Sequence, residues 1–338
     1  MTNTDDRTAQ APGSLVDAYD CLLLDLDGTV FRGHSPTPGA VEVLAAVAAR
    51  KIFVTNNASR SAGEVADHLV ALGFAADAGD VMTSAQSAAR AMSRRLPPES
   101  KVLVVGTDSL AAEIALVGLA PVRSHNDAPV AVVQGHSPHT GWADLAEATL
   151  AIREGGLWVA TNADLTLPTD RGLLPGNGSM VAALQAATGT TPEVIGKPAP
   201  TMFRDALARG VFHAPLVVGD RLDTDIAAAN AAGIPSMLVL SGVSTPTDVI
   251  LAPRGLRPTY LAEDLRGLHE PLSCMRIGPQ PGWATTVADG AVTVTSRGAD
   301  DALSALRVVA DAMWRCGAAM VVAGDRRSRD ALQRWDLG

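Results

Sequence analysis

The sequence predicts an α/β protein: a doubly wound parallel sheet, a second α/β block inserted into it, and a small α+β extension at the C-terminus. Three observations lead there. Short apolar runs alternate with alanine-rich stretches of helical length, the pattern of β-α-β units whose strands are buried on both faces. Several runs stop abruptly at acidic, hydroxyl or amide residues, and in open sheets of this class ligands gather at the carboxyl ends of the strands. From about Pro271 the composition shifts, with Pro279 and Pro281 beside a Gly-rich joint. A length of 338 residues accommodates two or three domains at roughly 150 residues each.

Taken in order, residues 22–26 are a short buried strand ending at Asp27-Gly28-Thr29, which has turn chemistry. Residues 40–50 read as a helix and 51–54 as a second strand, ending in Thr55-Asn56-Asn57 and completing one β-α-β unit. The alternation resumes downstream as helix 201–209, strand 216–218 ending in Gly219-Asp220, helix 223–232 and strand 236–240. Between these halves, strands 102–105, 130–133 and 157–160 alternate with helices 109–117 and 142–153 and make up the inserted block. Residues 291–295 are β-like and 299–315 a long helix; the last 68 residues form either a third unit or a strand and helix packed on the sheet. The expected division is a disordered tail (1–14), a core domain (15–80 and 197–268), an inserted domain (81–196) and an extension (271–338).

Composition narrows the function classes. Hydrophobic residues at 47% against 19% charged exclude wholesale disorder. The longest apolar runs, such as 114–122, fall well short of the roughly 20 residues needed to cross a bilayer, so no membrane partner is expected. Net charge is −9 and no Lys/Arg cluster forms a basic stripe, which argues against a nucleic-acid partner. A small anionic ligand must then be held locally, by a metal or a few cations. Cys21, Cys274 and Cys316 are too few and scattered for a disulfide framework or a zinc site. A reducing compartment fits, and the polar start of the chain has neither signal-peptide nor anchor character, so a cytoplasmic protein is expected. Self-association is left open.

Four strand ends carry chemistry. Asp25-Leu26-Asp27-Gly28-Thr29 places two carboxylates two residues apart before a glycine that lets backbone amides approach an anion. Thr55-Asn56-Asn57 offers a hydroxyl and amides. Gly196-Lys197-Pro198 supplies one of only three lysines, and Gly219-Asp220-Arg221-Leu222-Asp223-Thr224-Asp225 supplies more acids. Carboxylates crowded at one point repel one another unless a cation lies among them, and hard oxygen ligands suit Mg²⁺. Asp25 and Asp220 are the natural ligand pair. Mg²⁺ shares its sphere with phosphate, a carboxylate can act as nucleophile, and a lysine, a hydroxyl and amides stabilise a transferring phosphoryl group. Lys197, Thr55 and the Asp27-Gly28 amides fill those places.

Through these four motifs in this order, residues 18–268 resemble the haloacid dehalogenase superfamily of phosphatases. The Thr55-Asn56-Asn57 followed by Ser59-Arg60-Ser61, and the 139 positions between Asn57 and Lys197, are similar to the NagD-like branch. That branch includes 4-nitrophenyl phosphate, phosphoglycolate, pyridoxal phosphate and glycerol phosphate phosphatases. The resemblance implies a Rossmann-like core with an α/β cap of the C2a type, to which Thr161-Asn162-Ala163-Asp164 and Pro175-Gly176-Asn177-Gly178-Ser179 would belong. It further implies that Asp25 attacks phosphorus and ligates Mg²⁺, and that Asp27 is general acid then base while its main-chain carbonyl binds the metal. Asp220 would complete the metal ligands with Asp225 behind them. Gly28, Thr55 and Asn56 would bind phosphoryl oxygens, and Lys197 would neutralise Asp25 and phosphate. A dehalogenase needs no acid for its leaving group, so Asp27 favours phosphoryl transfer. The overall match, C-terminal extension included, is most similar to branch members acting on glycerol 3-phosphate, which implies that substrate and a place in glycerophospholipid metabolism. The extension itself resembles part of an N-acetyltransferase fold, without an identifiable acetyl-CoA pyrophosphate loop.

Plainer readings stand beside these. Asp223 reads better as a charge on the first turn of its helix. Gly176-Asn177-Gly178 lacks the spacing of a dinucleotide loop and reads as a turn in the cap. His136 and His139 lie in a Pro/Thr/Gly loop without a third ligand, and Cys21 reads as core packing. Asp164 either reaches substrate hydroxyls or makes a structural hydrogen bond; Arg60 either links cap to core or touches phosphate. Trp142 and Trp158 are the cap's few aromatics, which disfavours a ring-stacking substrate. A phospho-accepting receiver module is the alternative from another class, but a receiver carries its acceptor on a later strand and has no long insert.

Overall fold

The computed structural model describes residues 13–169 and 171–337; all but the last two residues of the expected N-terminal tail, 1–14, lie outside them. Ser14, expected in that tail, instead bridges to Pro271 and bonds to the Asp17 carboxylate through its amide, 2.9 Å, and its hydroxyl, 2.7 Å.

The main sheet has six parallel strands in the order Tyr260–Ala262, Ser236–Val239, Pro215–Gly219, Cys21–Leu24, Arg50–Thr55, Val81–Thr83. Cys21–Leu24 is fully buried. Leu22 and Leu24 pack into one layer with Val43, Leu44, Val65 and Leu69, while Cys21 and Leu23 pack into the opposite layer with Phe203 and Ala228, the two-residue alternation of a strand covered on both sides. The chain moves outward through Arg50–Thr55 to Val81–Thr83, then returns after the insert to the other flank of Cys21–Leu24. The strand order therefore reverses beside Cys21–Leu24, the place where such sheets open a ligand crevice, and Asp25, Thr55 and Asp220 terminate the strands that border it.

Two boundaries differ from expectation. Val81–Thr83 is the edge strand of the core sheet, paired with Arg50–Thr55, so the inserted domain begins after it and not at 81. Three residues are too few to show a period. The predicted helix 40–50 is Ala40–Ala46; Arg50 already belongs to the next strand, where β pairing to Cys21 overrides local propensity. Ala62–Ala71, closed by a Ser61/Glu64 capping box, is a further core helix.

The inserted domain is a second parallel sheet, in the order Glu193–Val194, Leu157–Ala160, Ala131–Gln134, Lys101–Val105, Ala120–Val122. Helices Asp108–Leu116, Trp142–Arg153 and Asn177–Thr188 cover it. Helix Ser84–Ser93 links the domains: Ala85, Ala88, Ala89 and Met92 enter the cap core, and Arg94 beyond its end pairs with Asp205 of the core domain at 3.0 Å. Residues 176–179 do not form a turn; Gly176 precedes helix Asn177–Thr188 directly. A Cβ at Gly178 would come within 2.2 Å of the Ala163 carbonyl, so only glycine lets this helix press against the Asn162–Asp164 segment.

The extension is a unit with its own sheet. Trp283–Ala288 and Ala291–Ser296 pair antiparallel, and Met320–Ala323 joins parallel to the latter. Helix Ala302–Cys316 covers this sheet and also faces the core domain: Leu306 and Val309 share one apolar cluster with Ile226, Leu238, Val249 and Leu261. The buried Arg307 donates to the Leu261 carbonyl at 3.1 and 2.7 Å, and Trp314 donates to that of Val249 at 2.9 Å. No helix among the described residues is long and apolar enough to cross a membrane.

Candidate active site

Asp25 follows the central strand directly, its amide donating to the Val218 carbonyl at 2.9 Å. Lys197 enters from the end of the insert with its side chain buried; its Nζ touches Asp25 Oδ1, lies 2.7 Å from Asp225 Oδ1, and donates to the Val54 carbonyl at 3.1 Å. Asp220 ends the neighbouring strand and is fully buried; its Oδ2 accepts from the Val243 amide at 2.7 Å. Thr29 Oγ1 lies 3.4 Å from Asp25 Oδ2 and 3.5 Å from Asp220 Oδ1. Among the described residues, the ligand-type side chains that converge are Asp25, Asp220 and Asp225, with one oxygen from each within 4.8 Å of the others. His136 and His139 lie outside this group.

Electrostatics follow from the crowding. Burial, then Asp25 and Asp225, push the Asp220 carboxyl up to about 8, and burial with Asp25 raises Asp225 despite Lys197. Burial opposes charge on Lys197, but Asp225 and Asp25 outweigh it and hold the ammonium protonated above its ordinary range. Three carboxylates thus meet one permanent cation. The donors are hard oxygens with an excess of negative charge, and a divalent cation of the Mg²⁺ kind fits them. Asp27 is exposed at the strand end, yet desolvation raises its carboxyl above the usual range against the pull of Lys197 and Arg60. That favours the protonated form a general acid needs. Its carboxylate is outside the converging group, which leaves only its main-chain carbonyl for a metal.

Two expected phosphate contacts are corrected. The Gly28 amide donates to the Phe31 carbonyl at 2.8 Å and is not free for phosphate. Gly28 serves space instead: at φ +88°, a Cβ would come within 2.5 Å of Asp220 Oδ2. The side chain of Asn56 is also committed. Its Oδ1 accepts from the Lys197 amide at 2.8 Å, while its Nδ2 donates to the Lys197 carbonyl and to Asp164 Oδ2, both at 3.1 Å, so any phosphate contact by Asn56 falls to its main chain. Thr55 Oγ1 accepts from the Asn57 amide at 3.1 Å, and its hydroxyl proton remains available.

Asp164 reaches the site from the cap and makes a structural link there: besides Asn56, it lies 3.8 Å from Arg221 Nη1. Arg221, to which the sequence assigned no role, also holds Asp223 through two hydrogen bonds of 3.0 and 2.8 Å. Asp223 lies in the first turn of its helix, as expected, and there pairs with Arg221. Arg60 makes no ion pair among the described residues, but its charge, with that of Lys197, opposes the upward shift of the Asp27 carboxyl.

A carboxylate paired with a buried lysine, a second carboxyl raised toward its acid form and a cation-seeking acid pair, set at a sheet's switch point beneath a cap, define a phosphoryl-transfer hydrolase. Haloacid dehalogenase-like and HAD-hydrolase-like family models match residues 22–120 and 194–268, and a GCN5-related N-acetyltransferase-like model matches 280–337. The D-glycerol 3-phosphate phosphatase of Mycobacterium tuberculosis is 58% identical over 338 residues, 96% of each chain. An acid sugar phosphatase of Staphylococcus aureus is 34% identical over 252 residues, 73% of this chain and 95% of that one. Among solved structures, the M. tuberculosis glycerol phosphate phosphatase in complex with magnesium superposes with TM-score 0.94 at 59% identity, covering 96% of this chain and 99% of that one. A p-nitrophenyl phosphatase from Archaeoglobus fulgidus gives 0.68 at 31% identity, covering 74% and 97%. The chain belongs to the haloacid dehalogenase-like hydrolases. Within that family it is a capped phosphatase with an N-acetyltransferase-like extension, and the receiver-module alternative falls away.

Proposed function

We propose that this phosphatase hydrolyses glycerol 3-phosphate with Mg²⁺, through an aspartyl phosphate on Asp25. The observation that carries the mechanism is the division of labour between two acids two residues apart. Asp25 is paired with the Lys197 ammonium, whereas Asp27 is shifted toward its protonated form. Asp25 attacks phosphorus as the ester P–O bond breaks, and Asp27 passes its proton to the leaving alkoxide. The Asp27 carboxylate then takes a proton from water, whose oxygen attacks phosphorus and breaks the bond to Asp25, releasing phosphate. Thr55 and Lys197 steady the phosphoryl oxygens. Asp25, Asp220 and the Asp27 carbonyl would hold Mg²⁺, which when bound neutralises the acids and draws charge from the phosphoryl group.

The end-to-end match to a glycerol phosphate phosphatase, extension included, supports the substrate. Trp158 is buried within the cap, donating to Gln134 Oε1 at 3.2 Å, and is unavailable to stack on a ring substrate such as pyridoxal phosphate. The test is phosphate release with Mg²⁺ across glycerol 3-phosphate, phosphoglycolate, pyridoxal phosphate, sugar phosphates and nucleotides, with Asp25→Asn as control. Glycerol 3-phosphate should show the highest kcat/KM, and a higher value for another ester would reassign the substrate.

A further inference from the structure

A cavity of about 540 Å³ opens beside the catalytic crevice, walled by the hairpin after the first motif, the loops after two core strands, and Trp335 of the extension. We infer that this cleft binds a small organic anion with a planar body, and that its occupancy changes turnover. Charge selects the ligand. Both acids lining it are already paired: Asp264 with Arg266 at 2.6 Å, and Glu263 with Arg334 at 2.7 Å. Arg32 has no carboxylate partner among the described residues; its one hydrogen bond goes from Nη2 to the Gly242 carbonyl at 3.2 Å. The remaining guanidinium N–H groups suit a carboxylate or phosphate. Trp335, half-buried, with its indole N–H spent on the Ala302 carbonyl at 2.7 Å and the Arg334 guanidinium 5.2 Å from its ring centroid, lines the cleft with no donor left to satisfy, which suits an apolar body seated beside that cation.

The walls are wired to the metal-binding acid. Ser241 Oγ donates to the Gly28 carbonyl at 2.8 Å, and the next two residues touch Asp220 directly. The Val243 amide bonds its carboxylate, and a Cβ on Gly242 would fall 1.8 Å from Asp220 Oδ2. An anion that draws Arg32 away from the Gly242 carbonyl releases the loop that packs against Asp220, so the bound state should turn over more slowly. The extension thereby supplies one wall of an effector site, a role separate from the substrate assignment above.

The test titrates the full chain with 1-naphthoate, and in parallel with methylphosphonate, while Mg²⁺ and orthovanadate keep the catalytic phosphate site filled. Calorimetry should show one naphthoate per chain, with affinity falling about tenfold or more in both Arg32→Gln and Trp335→Leu, the worth of one charge-assisted or stacking contact. Near-UV circular dichroism checks that the variants are folded. Methylphosphonate binding that needs Arg32 but not Trp335 would identify a phospho-anion site without a planar requirement and overturn the ligand class. No saturable binding by either probe, or binding indifferent to both substitutions, overturns the site. At saturating naphthoate, kcat on 4-nitrophenyl phosphate should fall with KM unchanged; a rise in KM alone places the probe in the catalytic crevice, and an unchanged kcat removes the coupling. Because the binding readout needs no turnover, it stands apart from the phosphatase assignment.

Discussion

Three acids packed around one lysine make the centre costly to fold without its cation. Asp220 carries the largest burden: its folded pKa of about 8 lies above an ordinary value of 3.8, so the metal-free fold binds a proton there that the unfolded chain has lost. A raised carboxyl gives stability that is complete below the unfolded pKa and disappears as pH rises through the folded one. Melting of the metal-free protein should therefore occur at progressively lower temperature between about pH 4 and pH 8, and added Mg²⁺ should reverse the loss at the upper end. Asp220→Asn should flatten this dependence and raise the metal-free melting temperature at pH 8 while abolishing the Mg²⁺ effect; an unchanged slope would show that the burden lies on another group. The same proton competes with the cation, so apparent Mg²⁺ affinity should weaken as pH falls below about 8.

Two further substitutions belong to this scale. Asp25→Asn removes the proposed nucleophile and should cost roughly 10⁴-fold or more in kcat, with the protein still folded because Thr29 and Lys197 retain a polar partner. Single-turnover acid quench should find no hydroxylamine-labile phosphoprotein in this variant. Gly242→Ala tests space alone. Its methyl group would meet Asp220 Oδ2 at 1.8 Å, and overpacking of this kind costs about 1–3 kcal/mol, so both stability and Mg²⁺-dependent turnover should drop. Wild-type activity in Gly242→Ala would mean that the loop relaxes freely.

Among the elements, the decisive joint is where the cap returns to the core. Asn56 holds both the amide and the carbonyl of Lys197 and at the same time reaches Asp164 of the cap, which Arg221 approaches from beside Asp220. One side chain thus sets the height of the catalytic lysine and ties the two domains. Asn56→Ala leaves the Lys197 amide without its partner, a loss of about 1–3 kcal/mol, and frees the Lys197 backbone. Denaturant unfolding should report that loss, and kcat should fall more than KM rises. A variant with normal kcat would reduce Asn56 to a cap fastener. The motif Thr55-Asn56-Asn57 was legible as a polar strand end, but the use of Asn56 was not, since Lys197 and Asp164 are distant in sequence and only the folded cap brings them together. Arg221 escaped for the same reason. Strand Val81–Thr83 escaped for another, because three buried residues have no period to read.

On the scale of the whole molecule, the extension is joined to the core by a shared apolar layer. Ile226, Leu238, Val249, Ile250 and Leu261 of the core domain pack with Leu306, Val308 and Val309 of helix Ala302–Cys316. Burying each large aliphatic side chain is worth about 1.5–3 kcal/mol, so a chain ending at residue 270 exposes a face that the core cannot cover. Truncation should yield protein that aggregates or melts well below the full chain in scanning calorimetry, whereas a monomeric, fully active truncation with an unchanged melting temperature would make the extension dispensable.

By itself the sequence determined the class of sheet and the four acidic, hydroxyl and lysine-bearing strand ends, while the proposed roles of Asp25 and Asp27 came through the family resemblance those ends carry. Those are local properties: buried parallel strands are apolar runs, and chemistry at their ends needs particular residues at particular short spacings. Tertiary structure decided that Gly28 clears space for Asp220 instead of binding phosphate, that Asn56 carries the lysine, that Asp223 belongs to Arg221, and that Trp335 closes a cleft beside the catalytic loop. Each of these depends on which atoms meet across long stretches of chain, and hydrogen bonds are claimed by whichever partner the packing brings within about 3 Å.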